Sequence, residues 1–377
     1  MKKTKIFAAY LPQFHETEDN NKFWGIGYTD WVGVKNAKPQ YDGHIQPNVP
    51  LNNIYYDLAS VETIRWQAKI ARKYGVDGFN IYHYWFKNGK QELEKPAELL
   101  LENKSIDIGF FFSWDNCSWK RTWSNVPGND WGTMNSKEDN DVEKGLLVEL
   151  DYGDKEQWRV HFEYLLPYFR DKRYLKIDNK PVFAFMTAID YHLLNEMIDF
   201  WRKLALNEGF DGLYILSQKN YLFNKVNADS NFLYQPIFAS WGFKKLIESK
   251  VKEKFKIDIS NKKGPVKYLY DYDKVWNNIL NSIKIYKDIV PGCFVRYDDT
   301  PRRGKNAGVI KGATPVKFRN YFKEFYSACC KSGKELLLIT AWNEWGEGAY
   351  LEPDTVNEYE YLESLKKAKE DCLRNEI

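Results

Sequence analysis

Apolar runs four to seven residues long alternate with amphipathic stretches from one end of the chain to the other. Unbroken apolar runs suit strands buried on both faces of a parallel sheet, and they predict strands at 5–10, 77–82, 107–113, 181–186, 212–216, 232–236, 292–296 and 335–341. Helical periodicity follows most of them, over about 60–74, 91–102, 155–170, 190–207, 273–287, 315–330 and 357–373. Ser60 and Thr314 stand where helix caps belong, and Pro315 takes a first helical position. Strands and helices taking turns in this way predict an α/β fold, a (β/α)8 TIM barrel rather than an open doubly wound sheet.

The longest irregular segments, 11–57, 114–153, 217–230 and 237–272, each follow a predicted strand end. In a barrel those long βα loops lie at the C-terminal face, where active sites are built. Neither an internal repeat nor a Gly/Ser linker divides the chain, so residues 1–377 are expected to form one catalytic domain. The Lys-rich stretch at about 240–265 reads as a solvated insertion, because acidic residues are interleaved and no aromatic platform accompanies it.

Composition sharpens the functional class. The 44% hydrophobic content supports a sizeable core, and 55 basic against 52 acidic residues leave a net charge of +3, which gives no electrostatic case for nucleic acid. Aromatic residues are in excess: 14 Trp, 26 Tyr and 23 Phe make 17% of the chain. Flat rings stack well on sugars and other planar ligands. No apolar stretch approaches the roughly 18 residues that a spanning helix needs. The basic N-terminus lacks a small-residue cleavage pattern, and the five cysteines lack C-x-x-C spacing. These features predict a cytoplasmic protein with reduced thiols.

The densest chemistry lies in Thr340-Ala-Trp-Asn-Glu-Trp-Gly-Glu-Gly348, directly after the last apolar run. Glu344 and Glu347 sit three residues apart at a strand end, flanked by Trp342, Asn343 and Trp345, and Gly346 and Gly348 let the loop turn sharply. Paired carboxylates in an aromatic cleft are what glycoside hydrolysis requires, one as acid and one as base or nucleophile. After the seventh strand, Asp298 and Asp299 stand beside Arg302 and Arg303, either to bind sugar hydroxyls and an acidic group or to fix the loop. The third strand leads into Asn116, Trp119, Arg121 and Trp123, read as a stacking platform with polar contacts. The second strand ends in Tyr82, His83, Tyr84 and Trp85, of which His83 reads more readily as structural than catalytic. The five histidines show no metal-ligand spacing, and no Walker or dinucleotide glycine motif occurs, so no metal and no cofactor are expected.

Longer motifs carry a resemblance: Ala9-Tyr-Leu-Pro-Gln-Phe-His15, Trp24-Gly-Ile-Gly-Tyr-Thr-Asp-Trp31, Gly43-His-Ile-Gln-Pro47, Tyr56-Asp-Leu58, Gly78-Phe-Asn-Ile-Tyr-His-Tyr-Trp-Phe86 and Ala341-Trp-Asn-Glu-Trp-Gly-Glu-Gly348 with Leu351-Glu-Pro353. Together, over about residues 5–354, these resemble the WbsX-type proteins of bacterial polysaccharide gene clusters, which are similar to glycoside hydrolase family 99, the endo-α-mannosidases and endo-α-mannanases. The resemblance implies a (β/α)8 barrel and retaining chemistry on α-linked sugars, with Glu344 taking the proton from a sugar 2-hydroxyl and Glu347 acting as general acid/base. On this reading Trp31, Tyr84, Trp119 and Trp123 are the expected ring contacts. Asp30, His44, Gln46, Asn116, Arg121 and Asp299 are the expected polar contacts.

The chain departs from the pattern at three positions. Gly346 replaces the His that family 99 usually places between the glutamates, and Asp30 and Cys117 stand where the WbsX-type pattern has Glu. The leading expectation is therefore an enzyme acting on an oligo- or polysaccharide, including a lipid-linked glycan at the membrane surface. A glycosyltransferase and a carbohydrate-binding barrel without turnover stand as alternatives.

Overall fold

The computed structural model describes residues 3–120, 146–187, 190–219, 226–240, 247–248, 251 and 264–374. Parallel strands β1 (Lys5–Tyr10), β2 (Gly78–Trp85), β3 (Gly109–Trp114), β4 (Lys180–Phe185), β5 (Tyr214–Gln218), β6 (Ser230–Phe232), β7 (Gly292–Phe294) and β8 (Leu336–Thr340) form its centre. Hydrogen bonding runs β6-β5-β4-β3-β2-β1-β8-β7. The ring closes through a split strand. Ile289 and Val290, just before β7, pair with Asn231 and Phe232 of β6, whereas β7 itself pairs with β8. Pro291 between them has no N–H for either ladder, and its carbonyl accepts from the Leu338 amide at 3.0 Å.

All eight predicted strands are present. β2 runs on to Trp85 because Tyr84 and Trp85 also pair with the hairpin return Gln91–Glu92. That return delays the helix expected from 91, which starts at Lys95. β6 lies earlier than the predicted 232–236, since Pro236 could not donate to a ladder. The longer helices are α1 (Val61–Lys73), α2 (Lys95–Glu102), α3 (Lys155–Arg170), α4 (Tyr191–Asn207), α5 (Tyr272–Ile285), α6 (Pro315–Lys331) and α7 (Glu360–Arg374), and the shorter helices Glu18–Trp24, Asp30–Asn36 and Thr300–Arg303 lie in the loops that follow β1 and β7. Thr314 caps α6 by accepting from the Lys317 amide at 3.2 Å, whereas Ser60 takes the N-cap position of α1 without a side-chain bond. The Lys-rich insertion falls almost wholly outside the described residues.

Every residue of β2 and of β8 is buried; β8 reads as a nearly continuous apolar run, and in β2 the polar Asn80 is accommodated by accepting from the Ser113 hydroxyl at 2.6 Å. Aromatic packing is dense on the β3–β4 side, where Trp85 lies flat on His161 with ring centroids 4.2 Å apart. His83 and His161 meet through their Nε2 atoms at 2.7 Å, and burial pushes His83 down to about 3. His83 therefore stays neutral and structural. Among the described residues no helix is long and apolar enough to cross a membrane.

At the seam, a Cβ on Gly292 would lie 1.9 Å from the Leu233 carbonyl oxygen, a backbone atom with nowhere to go. Gly292→Ala is expected to destabilise the fold by roughly 1–3 kcal/mol or more in urea denaturation, through forced separation of β6 and β7. A change under about 0.5 kcal/mol would mean that the seam is not tightly closed.

Candidate active site

All eight strands feed one cavity of about 310 Å³ at the C-terminal face. Leu11 and Gln13 follow β1, Tyr82 and Tyr84 end β2, Asp115 follows β3 and Met186 follows β4. Gln218 closes β5, Tyr234 and Ile237 follow β6, Arg302 and Arg303 come after β7, and Glu344 and Glu347 come after β8. The Tyr82 and Tyr234 hydroxyls are 3.0 Å apart, and burial lifts both phenols well above their usual range, so they face the cavity as neutral hydroxyls.

The Arg302 guanidinium organises the acidic wall. Nη1 donates to Glu347 Oε1 at 2.9 Å, and Nη2 lies 3.2 Å from Glu344 Oε2 and 3.3 Å from either oxygen of Asp30. Burial raises the Glu344 carboxyl to about 8, with the charges of Glu347 and Asp30 adding to the rise and Arg302 opposing it. Asp30 is raised by burial too, again against the pull of Arg302. The Glu347 Oε2 atom is buried, and no described group hydrogen-bonds it.

Gly346 makes this arrangement possible. A Cβ there would fall 2.6 Å from Arg302 Nε and 2.8 Å from Asp30 Oδ2, so the guanidinium and its partner fill the space of a side chain. Its glycine answers a need for room, whereas Gly348 answers a need for conformation, with φ of 55°.

Several expected contact residues support the wall from behind. Asn343 clips the ends of β1 and β8 together, its Oδ1 accepting from the Leu11 amide at 2.7 Å and its Nδ2 donating to the Leu11 carbonyl at 2.9 Å. Trp345 stacks on Tyr350 with centroids 3.7 Å apart and donates to Glu352 at 2.7 Å. Trp31 is buried against Phe14, Tyr56 and Trp345, and its Nε1 donates to the Tyr56 carbonyl, so its ring is not offered to a sugar. Trp342 is buried on Phe79, Trp85 on His161, and Trp119 packs edge-on to Tyr84. Asn116 is consumed by the Tyr152 hydroxyl and by the Thr187 backbone.

Asp298 and Asp299 hold the β7 loop. Asp298 accepts from Gln46 at 2.7 Å, from the Thr300 amide at 3.0 Å, and meets His44 at 2.6 Å; these contacts keep its carboxyl below the usual range despite burial. Asp299 accepts from the Gly308 amide at 2.6 Å and pairs with Arg303 at 2.9 Å. His44, Gln46 and both aspartates therefore lie behind the cavity lining. Arg121 and Trp123 lie outside the described residues. The cavity also contains Asp115, Tyr234, Gln218 and Met186, which no candidate list named, and Gln13, which stands in the first of the quoted motifs without an assigned role. Their available signal was position, at or within two or three residues of a predicted strand end.

Comparison with known proteins fits this geometry. The sequence pattern of the WbsX glycosyltransferase family matches residues 6–365. The chain belongs to that family, a carbohydrate-active one. A WbsX relative, the uncharacterized protein WxcX of Xanthomonas campestris pv. campestris strain B100, is 26% identical over 377 residues, covering 96% of this chain and 49% of its own length. The chain thus spans about half the length of the curated relatives it matches. Among solved structures, the GH99 endo-alpha-mannosidase of Bacteroides thetaiotaomicron superposes with a TM-score of 0.56 at 14% identity, covering 100% of this chain and 99% of that one. A glycoside hydrolase-like protein gives 0.56 at 13%, covering 98% and 94%. These two likenesses establish the barrel.

Arg302→Met removes a positive charge shared by three carboxylates, which should move the Glu344 carboxyl above about 8. Carbon-13 NMR titration of labelled glutamate, assigned with Glu344→Gln, reads the shift; an unchanged or lowered value would contradict the clamp.

Proposed function

We propose that the chain is a retaining glycoside hydrolase that cleaves α-linked glycans of bacterial surface polysaccharide, of the mannose or 6-deoxyhexose type, with the sugar 2-hydroxyl as the internal nucleophile. The observation that carries this reading is the pair Glu344 and Glu347 joined by one guanidinium in a cavity walled by tyrosine hydroxyls. Two carboxylates held at fixed separation on a barrel rim are suited to moving two protons in one displacement.

In the first step Glu344 takes the proton of the 2-hydroxyl, O2 closes on C1, and the C1–O bond to the aglycone breaks as Glu347 delivers its proton to the departing oxygen. In the second step Glu347 takes a proton from water. Its oxygen attacks C1, the C1–O2 bond opens, and Glu344 returns the proton to O2. Two inversions give retention. The Oε2 of Glu347, which no described group hydrogen-bonds, supports its role as the proton carrier toward the leaving group. A lipid-linked glycan precursor on the inner leaflet is the substrate that a cytoplasmic enzyme of this kind would meet.

The family match favours a second reading, glycosyl transfer, in which the same pair acts on a nucleotide-sugar or lipid-linked donor. NMR of the first-released anomer from a panel of α-linked aryl glycosides and oligosaccharides separates the two. Hydrolysis is expected with retention, falling at least about 10²-fold in Glu344→Gln and in Glu347→Gln. Turnover that appears only on adding a nucleotide-sugar donor would move the chain to the transferases.

A pH profile tests the role of Glu344. As base it must be ionised, so in Glu347→Gln acting on an activated aryl glycoside, whose aglycone leaves without an acid, its elevation to about 8 makes kcat/KM climb with pH through that value. A rate that is flat or falls across the same window would remove Glu344 from the role of base.

A further inference from the structure

Asp115 is a cavity carboxylate with no part in the proton transfers. It follows β3 directly, and its backbone N–H donates to the His83 carbonyl at 3.0 Å, which fixes the residue beside the end of β2. It is half-buried and lines the cavity, and burial holds its carboxyl above the usual range. Asp115 and Glu344 are the two carboxylates whose charges, after burial, keep the Tyr84 hydroxyl protonated, so all three groups share one region of the wall.

Its partners are few. Among the described residues its side chain accepts one hydrogen bond, from Cys117 Sγ at 3.1 Å, and a thiol is a weak donor. No cation among the described residues pairs with it: Arg302 is shared by Asp30, Glu344 and Glu347, and Arg303 serves Asp299. Among the described residues, then, two arginines pair with four carboxylates beside the cavity, and Asp115 is a fifth.

A carboxylate partly withdrawn from water without a strong donor is costly until a donor arrives, and an N⁺–H is the strongest that a sugar can bring. A phosphate or carboxylate on the ligand would worsen the excess of negative charge. We infer that Asp115 reads a protonated amino group on the glycan, so that the substrate carries an amino sugar in its free, non-acetylated form. This rests on the cavity being the glycan site of the proposed hydrolase. Because the 2-hydroxyl is needed as nucleophile, the amine lies on another carbon of the ring or on the adjoining sugar.

Binding, not turnover, tests it. Methyl 4-amino-4-deoxy- and 6-amino-6-deoxy-α-D-mannopyranoside, their N-acetyl forms and methyl α-D-mannopyranoside are titrated into the full chain at pH 7 by calorimetry. At least one amine is expected to bind about tenfold or more tightly than the parent glycoside. The N-acetyl form loses that preference, and in Asp115→Asn the ratio falls toward one. Asp115→Ser, checked by its melting temperature, guards against an effect of one substitution on folding. Amines that bind no better than the parent, fail to bind, or keep their preference in Asp115→Asn overturn the inference. Amine-selective binding without hydrolysis of any glycoside keeps Asp115 as the reader and removes the hydrolase; hydrolysis of neutral α-mannosides with no preference for amines does the reverse.

Discussion

One half-buried guanidinium holds the acidic wall of this barrel in a single arrangement. Three carboxylates, Asp30, Glu344 and Glu347, approach one another in a space largely withdrawn from water, and without a cation their mutual repulsion would push them apart or protonate them. Arg302 satisfies all three, and much of the surrounding sequence follows from giving it room and direction. Gly346 vacates the volume it fills. Asp298 and Asp299 fix the loop that carries it, through His44, Gln46 and the backbone of Thr300 and Gly308. Asn343 pins the start of the glutamate turn to the end of β1, so the carboxylates and the arginine come from independently braced elements.

The barrel was legible because its strands are buried on both faces and its helices on one, two patterns that differ in period. Those patterns located all eight strands and the main helices, and they missed what depends on pairing partners, such as the shift of β6 and the split at Pro291, together with the short helices Glu18–Trp24, Asp30–Asn36 and Thr300–Arg303, which are too brief to show a period. A strand interrupted by proline looks in sequence like a strand that ends.

The site was half legible. Glu344 and Glu347 announced themselves by spacing, and Tyr82 and Tyr84 by alternation at a strand end. The tryptophans misled in one respect. Trp31, Trp119 and Trp345 cluster around the site in sequence motifs, yet they are buried beneath it, where large rings set the positions of smaller side chains. Arg302 was visible as a cation among acids, but its partners lie 42 to 272 residues away along the chain, and no local spacing reveals such a contact. Asp115 carried no signal beyond its place after β3.

The pairing of β1 with β8 has a consequence for how the molecule comes into being. Lys5 through Ala8 find their partners only at Leu336 through Ile339, so one edge of the first strand stays open through most of synthesis on the ribosome. The Leu11–Asn343 clip, which bears directly on the glutamate turn, forms in the same late event. Closure of the ring and assembly of the acidic wall are thus a single step, and a nascent or truncated chain that stops short of β8 holds neither.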